Sequence, residues 1–179
     1  NKEITMEPSP IKSINLGLYV ARIIHSDLAL ANASAWQWWT ALSMGEDVPI
    51  QLLPMKDSST ESIKYDGIIS PTKMFWTTAN YSFFIRPGMK RIDVKPTHIV
   101  SDLEAATSLM VSSYTDNKEI ITVIINYTDK EELLDLKCEK AKTGKLYVTS
   151  IDKNLEYVGE HALKKLSIPA RSVVTVVVK

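Results

Sequence analysis

Three of the four tryptophans in this 179-residue chain lie within four consecutive positions, as Trp36, Trp38 and Trp39. A helical pattern of apolar residues precedes them, and a long polar segment follows. If residues 34–42 form a β-strand, alternation puts Trp36 and Trp38 on one face and Gln37 and Trp39 on the other. A helix, a short link and an aromatic strand make up half of a β/α repeat. Residues 34–42, which we call the tryptophan segment, therefore constrain the fold more than any other stretch.

The tryptophans have two interpretations. A single Trp is bulky and is usually buried, so core packing would explain one of them. Three on one strand with Gln37 between them favour a sugar-binding platform, because aromatic faces stack on the C–H faces of sugars and amides bond hydroxyls. We therefore predict that Trp38, Trp36 and Gln37 bind substrate at the mouth of a barrel. Tyr65, near the end of the following loop, is a further candidate, with a solvated loop end as the alternative.

A first amphipathic helix is predicted over residues 14–31, where apolar residues recur at steps of three and four. Ser13 precedes this pattern and is suited to cap it, because its hydroxyl can accept a hydrogen bond from the first turn. Asn32 is suited to end the helix, since Asn tolerates the left-handed conformation.

A long loop and a second helix follow the tryptophan segment. Residues 43–66 contain Gly, Pro and a polar run, which predicts a loop, and loops of this length are often functional. Ser70 followed by Pro71 predicts an N-cap and first turn for an aromatic helix over residues 70–84. Residues 86–88, Arg-Pro-Gly, should stop it.

After residue 88 the sequence changes to short β-rich runs separated by turn residues. Their spacing, near ten residues, predicts an antiparallel β-sandwich. The predicted strands are 90–94, 109–114, 120–127, 133–137, 146–150 and 173–178. We therefore predict an α/β unit over residues 1–88 and an all-β unit over residues 89–179.

Composition and motifs exclude several functions. Lys+Arg and Asp+Glu are equal at 21 each, which argues against electrostatic capture of nucleic acid or an acidic membrane. No apolar run reaches the roughly 18 residues of a membrane helix. One cysteine, Cys138, rules out an internal disulfide, and His25, His98 and His161 lack metal-ligand spacing. We expect no cofactor, no metal, no nucleic acid and no membrane partner.

The ordered sequence blocks resemble glycoside hydrolase family 30, and they extend over nearly the whole chain. The matching blocks are residues 18–28 (LYVARIIHSDL), 31–42 (ANASAWQWWTAL), 71–76 (PTKMFW), 79–82 (ANYS), 84–92 (FIRPGMKRI) and 168–175 (IPARSVVT). The resemblance implies a retaining β-glycosidase with a (β/α)8 TIM barrel and a fused side β-sandwich. This chain would then supply barrel helix 7, strand 8 and helix 8, followed by most of the sandwich.

The resemblance also implies where the chemistry lies. Retaining glycosidases use two carboxyl groups about 5–5.5 Å apart. The family's acid/base follows barrel strand 4 and its nucleophile ends strand 7, so we expect both before Asn1 and no catalytic residue in this chain. Glu7 is the nearest candidate, but it lacks the preceding Ser or Thr. The strand-8 tryptophan of the family lines the sugar subsite at the cleavage point, and Trp38 is its best match, with Trp36 next.

The leading hypothesis is therefore the C-terminal segment of a secreted, periplasmic or cell-surface glycosidase that is inactive by itself. A barrel of about 250 residues would not fit in this chain, which lacks an initial Met and a signal-peptide pattern. The expected partners are a carbohydrate substrate, either a β-linked polysaccharide such as β-1,6-galactan or β-1,6-glucan or a glycoconjugate, and the rest of the barrel. The alternative is a non-catalytic carbohydrate-binding or structural β-sandwich module.

Overall fold

A computed structural model of the chain describes residues 13–44, 51–56, 68–94, 97, 101–139 and 141–179. Within these residues two helices lie on one face of a six-stranded antiparallel sheet, and a two-stranded ribbon lies on the other. A three-stranded sheet of short strands adjoins the helices. None of the described helices is both long and apolar enough to cross a membrane.

The first helix, α1 (Ile14–His25), begins where the sequence predicts but ends before the predicted residue 31. The Ser13 side chain accepts a hydrogen bond from the Leu16 N–H at 3.3 Å and so caps the helix. After His25 the chain continues through a π-helical turn, Ser26–Leu30, in which the Ala31 N–H donates to the Ser26 carbonyl at 2.8 Å. Asn32 then adopts a left-handed φ of 58° and ends the helical run.

The small sheet corrects the predicted tryptophan strand. Strand β1 (Leu42–Met44) pairs in parallel with β2 (Leu53–Lys56), which pairs antiparallel with β3 (Ile68–Ile69). Residues 34–41 are not a strand, because the ladder begins only where β2 runs alongside, with the Leu53 N–H donating to the Ala41 carbonyl at 2.8 Å. Strand β2 also lies inside the segment predicted as a loop. Tyr65 lies outside the described residues.

The second helix, α2 (Lys73–Ser82), starts later than predicted. Its N-cap is Thr72 and not Ser70, since the Thr72 hydroxyl accepts from the Phe75 N–H at 3.2 Å. The same hydroxyl donates to the Leu52 carbonyl at 3.0 Å, so the cap also ties α2 to the small sheet. Gly17 lets α1 and α2 approach closely, because a Cβ there would lie 3.0 Å from the Lys73 carbonyl oxygen.

The large sheet has the strand order β4-β5-β6-β11-β8-β9. Its strands are β4 (Lys90–Ile92), β5 (Leu109–Thr115), β6 (Ile120–Asn126), β8 (Thr143–Thr149), β9 (Glu156–Ala162) and β11 (Ser172–Val178). A short helix, α3 (Asp102–Ala105), precedes β5. The ribbon consists of β7 (Glu132–Leu134) and β10 (Leu166–Ile168). The predicted antiparallel sandwich agrees with this arrangement, although β9 and β10 were not predicted.

Central strand β11 explains why the last predicted strand is apolar throughout. All seven of its residues are buried, because it contacts a core on each face. Val173 and Val177 belong to the core beneath the helices, whereas Val174 and Val176 belong to the core beneath the ribbon. Burial on both faces removes the polar alternation that a half-exposed strand shows.

A buried polar network fixes α2 to the large sheet. Asn80 is fully buried. Its amide donates to the Thr175 hydroxyl at 3.0 Å, and its amide oxygen accepts from the Thr149 hydroxyl at 2.6 Å. The helices and the sheet therefore share one core that contains specific polar hydrogen bonds.

The described residues do not form a closed barrel, so the barrel assignment of residues 1–88 and the boundary at residue 88 stay predictions.

Candidate functional site

Trp36 and Trp38 form a stacked pair after α1. Their ring centroids are 5.7 Å apart and their planes differ by 17°. Both side chains are half-buried and pack against the core beneath the helices. The alternation predicted from sequence thus brings these two rings to the same side, even though residues 34–41 lack strand pairing.

Asp27 anchors Trp36, and the sequence pattern does not indicate this contact. The Trp36 indole Nε1 donates to Asp27 Oδ2 at 3.0 Å, and the Ala33 N–H donates to the Asp27 carbonyl at 2.8 Å. The π-helical turn presents Asp27 toward the tryptophans, and helical periodicity alone does not predict this turn. The available signal was that a partly buried indole N–H needs an acceptor.

Gln37 and Trp39 are exposed on the other side of the segment. The Trp39 side chain is 84% exposed, and the peptide bond between Trp39 and Thr40 is cis. The segment therefore combines an anchored ring pair with an accessible ring and an accessible amide. Aromatic rings and an amide are groups that can stack on a sugar ring and bond its hydroxyls, and the substrate-binding role of Trp36, Trp38 and Gln37 stays a prediction.

The described part of the small sheet also has an apolar surface. Three of its large apolar side chains are about half exposed or more. Leu42 follows the tryptophan segment in sequence, and Ile68 and Ile69 form strand β3 of the same sheet. Large apolar side chains clustered at a surface often mark an interaction site.

Metal chemistry has no support among the residues that the structure describes, where no group of three His, Cys, Asp or Glu side chains could hold an ion. His25 instead lies buried at the end of α1 and lines a cavity of about 330 Å³ with Arg91, Asp102 and Met110. Burial lowers the pKa of His25 to about 4, and the nearby Asp102 carboxylate partly opposes that shift. Burial therefore keeps the His25 imidazole neutral near pH 7.

A family profile matches the N-terminal part of the chain. Residues 2–47, which include α1 and the whole tryptophan segment, match the sequence profile of O-Glycosyl hydrolase family 30. A search of curated proteins found no match to the chain.

Solved structures match almost the whole chain. A protein described as a conserved exported protein from Bacteroides fragilis shares 69% identity over 99% of this chain and 36% of its own, with a TM-score of 0.88. A GH30 endoxylanase from Clostridium papyrosolvens C71 shares 22% identity over 93% of this chain and 38% of its own, with a TM-score of 0.68. The GH30 xylanase C catalytic domain from Talaromyces cellulolyticus also has 22% identity and a TM-score of 0.68, over 91% of this chain and 35% of that one.

The predicted resemblance to glycoside hydrolase family 30 is confirmed by the profile match over residues 2–47, and the fold of almost the whole chain agrees with the C-terminal part of a family 30 protein. The matches at 22% identity establish the fold. The chain spans less than half of the length of each of these solved structures.

Proposed function

We propose that this chain is part of a retaining β-glycosidase that cleaves a β-linked polysaccharide or glycoconjugate. In this proposal residues 1–88 complete a (β/α)8 barrel, and residues 89–179 form its side sandwich. The two catalytic carboxylates lie in the segment before Asn1, so the chain supplies a wall of the site and no catalytic group. The 69% identical protein is described as exported, which supports secretion of the whole protein.

The observation that carries the proposal is the Trp36–Trp38 pair anchored by Asp27. Stacked, hydrogen-bonded rings lose little freedom when a ligand binds, and preorganised aromatic surfaces bind with a smaller entropy cost. Trp38 and Trp36 contact the sugar ring at the cleavage point, and the exposed Gln37 bonds a hydroxyl. Tyr65 is included as a fourth substrate-binding residue on the sequence alone.

The substrate proposal covers β-1,6-galactan and β-1,6-glucan, together with β-xylan because two structures of the same fold are described as xylanases. The decisive experiment compares sugar release from these three polysaccharides by the 179-residue chain and by the longer protein that includes the segment before Asn1. We expect hydrolysis only by the longer protein, with retention of the β configuration. In the longer protein, Trp38→Ala should lower kcat/KM by about tenfold or more, while Leu133→Ala on the exposed ribbon should leave it unchanged.

A non-catalytic carbohydrate-binding or structural module is the second candidate. One observation favours it: each residue of α1 is at least half-buried within the chain, so this helix does not need a further barrel helix to cover it. Hydrolysis by the 179-residue chain would contradict the proposed location of the carboxylates. Failure of the longer protein to cleave any β-linked substrate, with binding retained, would favour the module.

A further inference from the structure

A second aromatic surface lies where α2 meets the large sheet. Phe83 and Phe84 have ring centroids 5.1 Å apart, Phe84 and Tyr147 4.7 Å, and Tyr147 and Tyr157 5.2 Å. We call these four rings the aromatic strip. It runs from the end of α2 across β8 to β9.

The strip is open to solvent at both ends. Phe83 is 67% exposed and Tyr157 is 51% exposed, whereas Phe84 is buried between them. Tyr147 packs into the core beneath the helices, and Tyr157 is its direct partner across the β8–β9 pair, so both rings lie on the helix face of the sheet. Helix α2 covers β8 and β11, and β9 extends beyond it. The exposed rings are therefore held by buried ones.

Polar groups continue the same face of β8 and β9. Lys145 lies two residues before Tyr147 and is paired with Glu160, and both are exposed. The Thr143 hydroxyl donates to the Glu160 carboxylate. The β8–β9 register shifts between Leu146 and Tyr147, but Leu146 belongs to the core beneath the ribbon, so its neighbours Lys145 and Tyr147 both point to the helix face. Rigid rings thus lie beside an ammonium, a hydroxyl and a carboxylate.

We propose that the aromatic strip binds a β-linked polysaccharide chain, with the rings of Tyr157 and Phe83 stacking on sugar units and Lys145 and Glu160 bonding their hydroxyls. The proposal takes only its ligand class from the proposed function. A protein partner fits less well, because charged residues are depleted at the centre of protein interfaces. A polysaccharide presents both apolar C–H faces and hydroxyls, which is the combination that this surface complements.

The binding of polysaccharide by the aromatic strip is tested by affinity electrophoresis of the full 179-residue chain. The gels contain β-1,4-xylan, β-1,6-glucan or β-1,6-galactan. The background variant is Trp36→Ala/Trp38→Ala/Trp39→Ala, which removes the other aromatic surface. We expect it to keep part of the retardation, and adding Phe83→Ala/Tyr157→Ala should weaken the remaining binding by about fivefold or more. Tyr157→Phe, which keeps the ring, should bind within about twofold of the parent. Leu103→Ala/Leu133→Ala, at two other exposed apolar residues, should change nothing.

Three results would overturn the proposal. If the background variant loses all retardation while its circular dichroism stays that of the wild type, the sugar binds at the tryptophan segment alone, and the proposed function stands. If no gel retards the wild-type chain, the strip does not bind these polysaccharides, and the hydrolysis comparison still decides the proposed function. If Phe83→Ala/Tyr157→Ala converts a dimer into a monomer in sedimentation without affecting retardation, the strip binds a second copy of the chain.

Discussion

The indole nitrogen of Trp36 donates to the Asp27 carboxylate at 3.0 Å, and this bond joins the π-helical turn after α1 to the tryptophan segment. Trp36 in turn stacks on Trp38. The Asp27 carboxylate therefore fixes the ring on which Trp38 stacks. Any sugar contact made by these rings depends on the turn that positions Asp27.

Replacing Asp27 with Ala should loosen the ring pair. The loss of a part-buried hydrogen bond to a charged acceptor is expected to lower the free energy of unfolding by about 1–2 kcal/mol. Urea unfolding monitored by tryptophan fluorescence measures this change. Asp27→Asn keeps an acceptor oxygen and should lose less than half as much. Asp129→Ala removes a highly exposed carboxylate and should have almost no effect. Equal stability of Asp27→Ala and Asp129→Ala would contradict the anchoring role.

Asn80 should be among the residues least tolerant of substitution. Asn80→Ala leaves the buried Thr149 and Thr175 hydroxyls without their amide partner, and the expected loss is about 2–3 kcal/mol. A double-mutant cycle with Thr149→Val separates the bond from packing, with an expected coupling of about 1 kcal/mol. Ser167→Ala, on the exposed side of β10, is the neutral control. Additive effects of the two substitutions would show that the 2.6 Å contact does not stabilise the fold.

Local signals account for the elements that the sequence predicts well. The Ser13 cap, the left-handed Asn32 and the apolar face of α1 depend on neighbouring residues, so the helix could be placed before the structure was known. Strand β11 was equally clear, because burial on both faces requires an apolar run. Strand β9 was missed because it is an edge strand with mostly exposed residues and a left-handed Gly159, and its partner β8 determines it.

The candidate site was predicted only in part. Alternation placed Trp36 and Trp38 together, but the predicted strand was wrong because parallel pairing starts only at β2. The contact with Asp27 depends on a π-helical turn, which has no simple sequence signal. The aromatic strip joins residues more than 60 positions apart through the packing of α2 on β8, and chain order alone does not indicate this contact.

Lys73 should control the order of the turn between β8 and β9. Its buried side chain donates to the Lys153 carbonyl at 3.0 Å and to Asn154 Oδ1 at 2.7 Å, and burial lowers the pKa of its ammonium group. Lys73→Met keeps the aliphatic packing and removes both bonds. Hydrogen exchange of residues 150–155 should then become about tenfold faster, which corresponds to about 1.4 kcal/mol of local stability. Lys164→Met, at an exposed site, is the matched control. Unchanged hydrogen exchange in Lys73→Met would show that the two hydrogen bonds of Lys73 do not order this turn.

Stability should fall as the pH is lowered, because His25 must remain neutral in the fold. The pKa of His25 is about 4 in the folded chain against 6.5 for an ordinary histidine, so between these values the unfolded chain binds more protons. Stability is therefore retained above the unfolded pKa and is lost progressively as the pH falls toward the folded pKa. From about pH 7 to about pH 5 the loss from this group is expected to be about 2 kcal/mol.

Urea unfolding of the wild type and of His25→Gln at several pH values measures this contribution. The variant should show a flatter dependence across the window, because Gln does not titrate. Asp116 and Asp152 have a lowered pKa, so their stabilising effect is lost only below the ordinary value of 3.8, outside this window. His161 is exposed, and His161→Gln should follow the wild-type curve. Parallel curves for wild type and His25→Gln would contradict the assignment of the pH dependence to the buried imidazole.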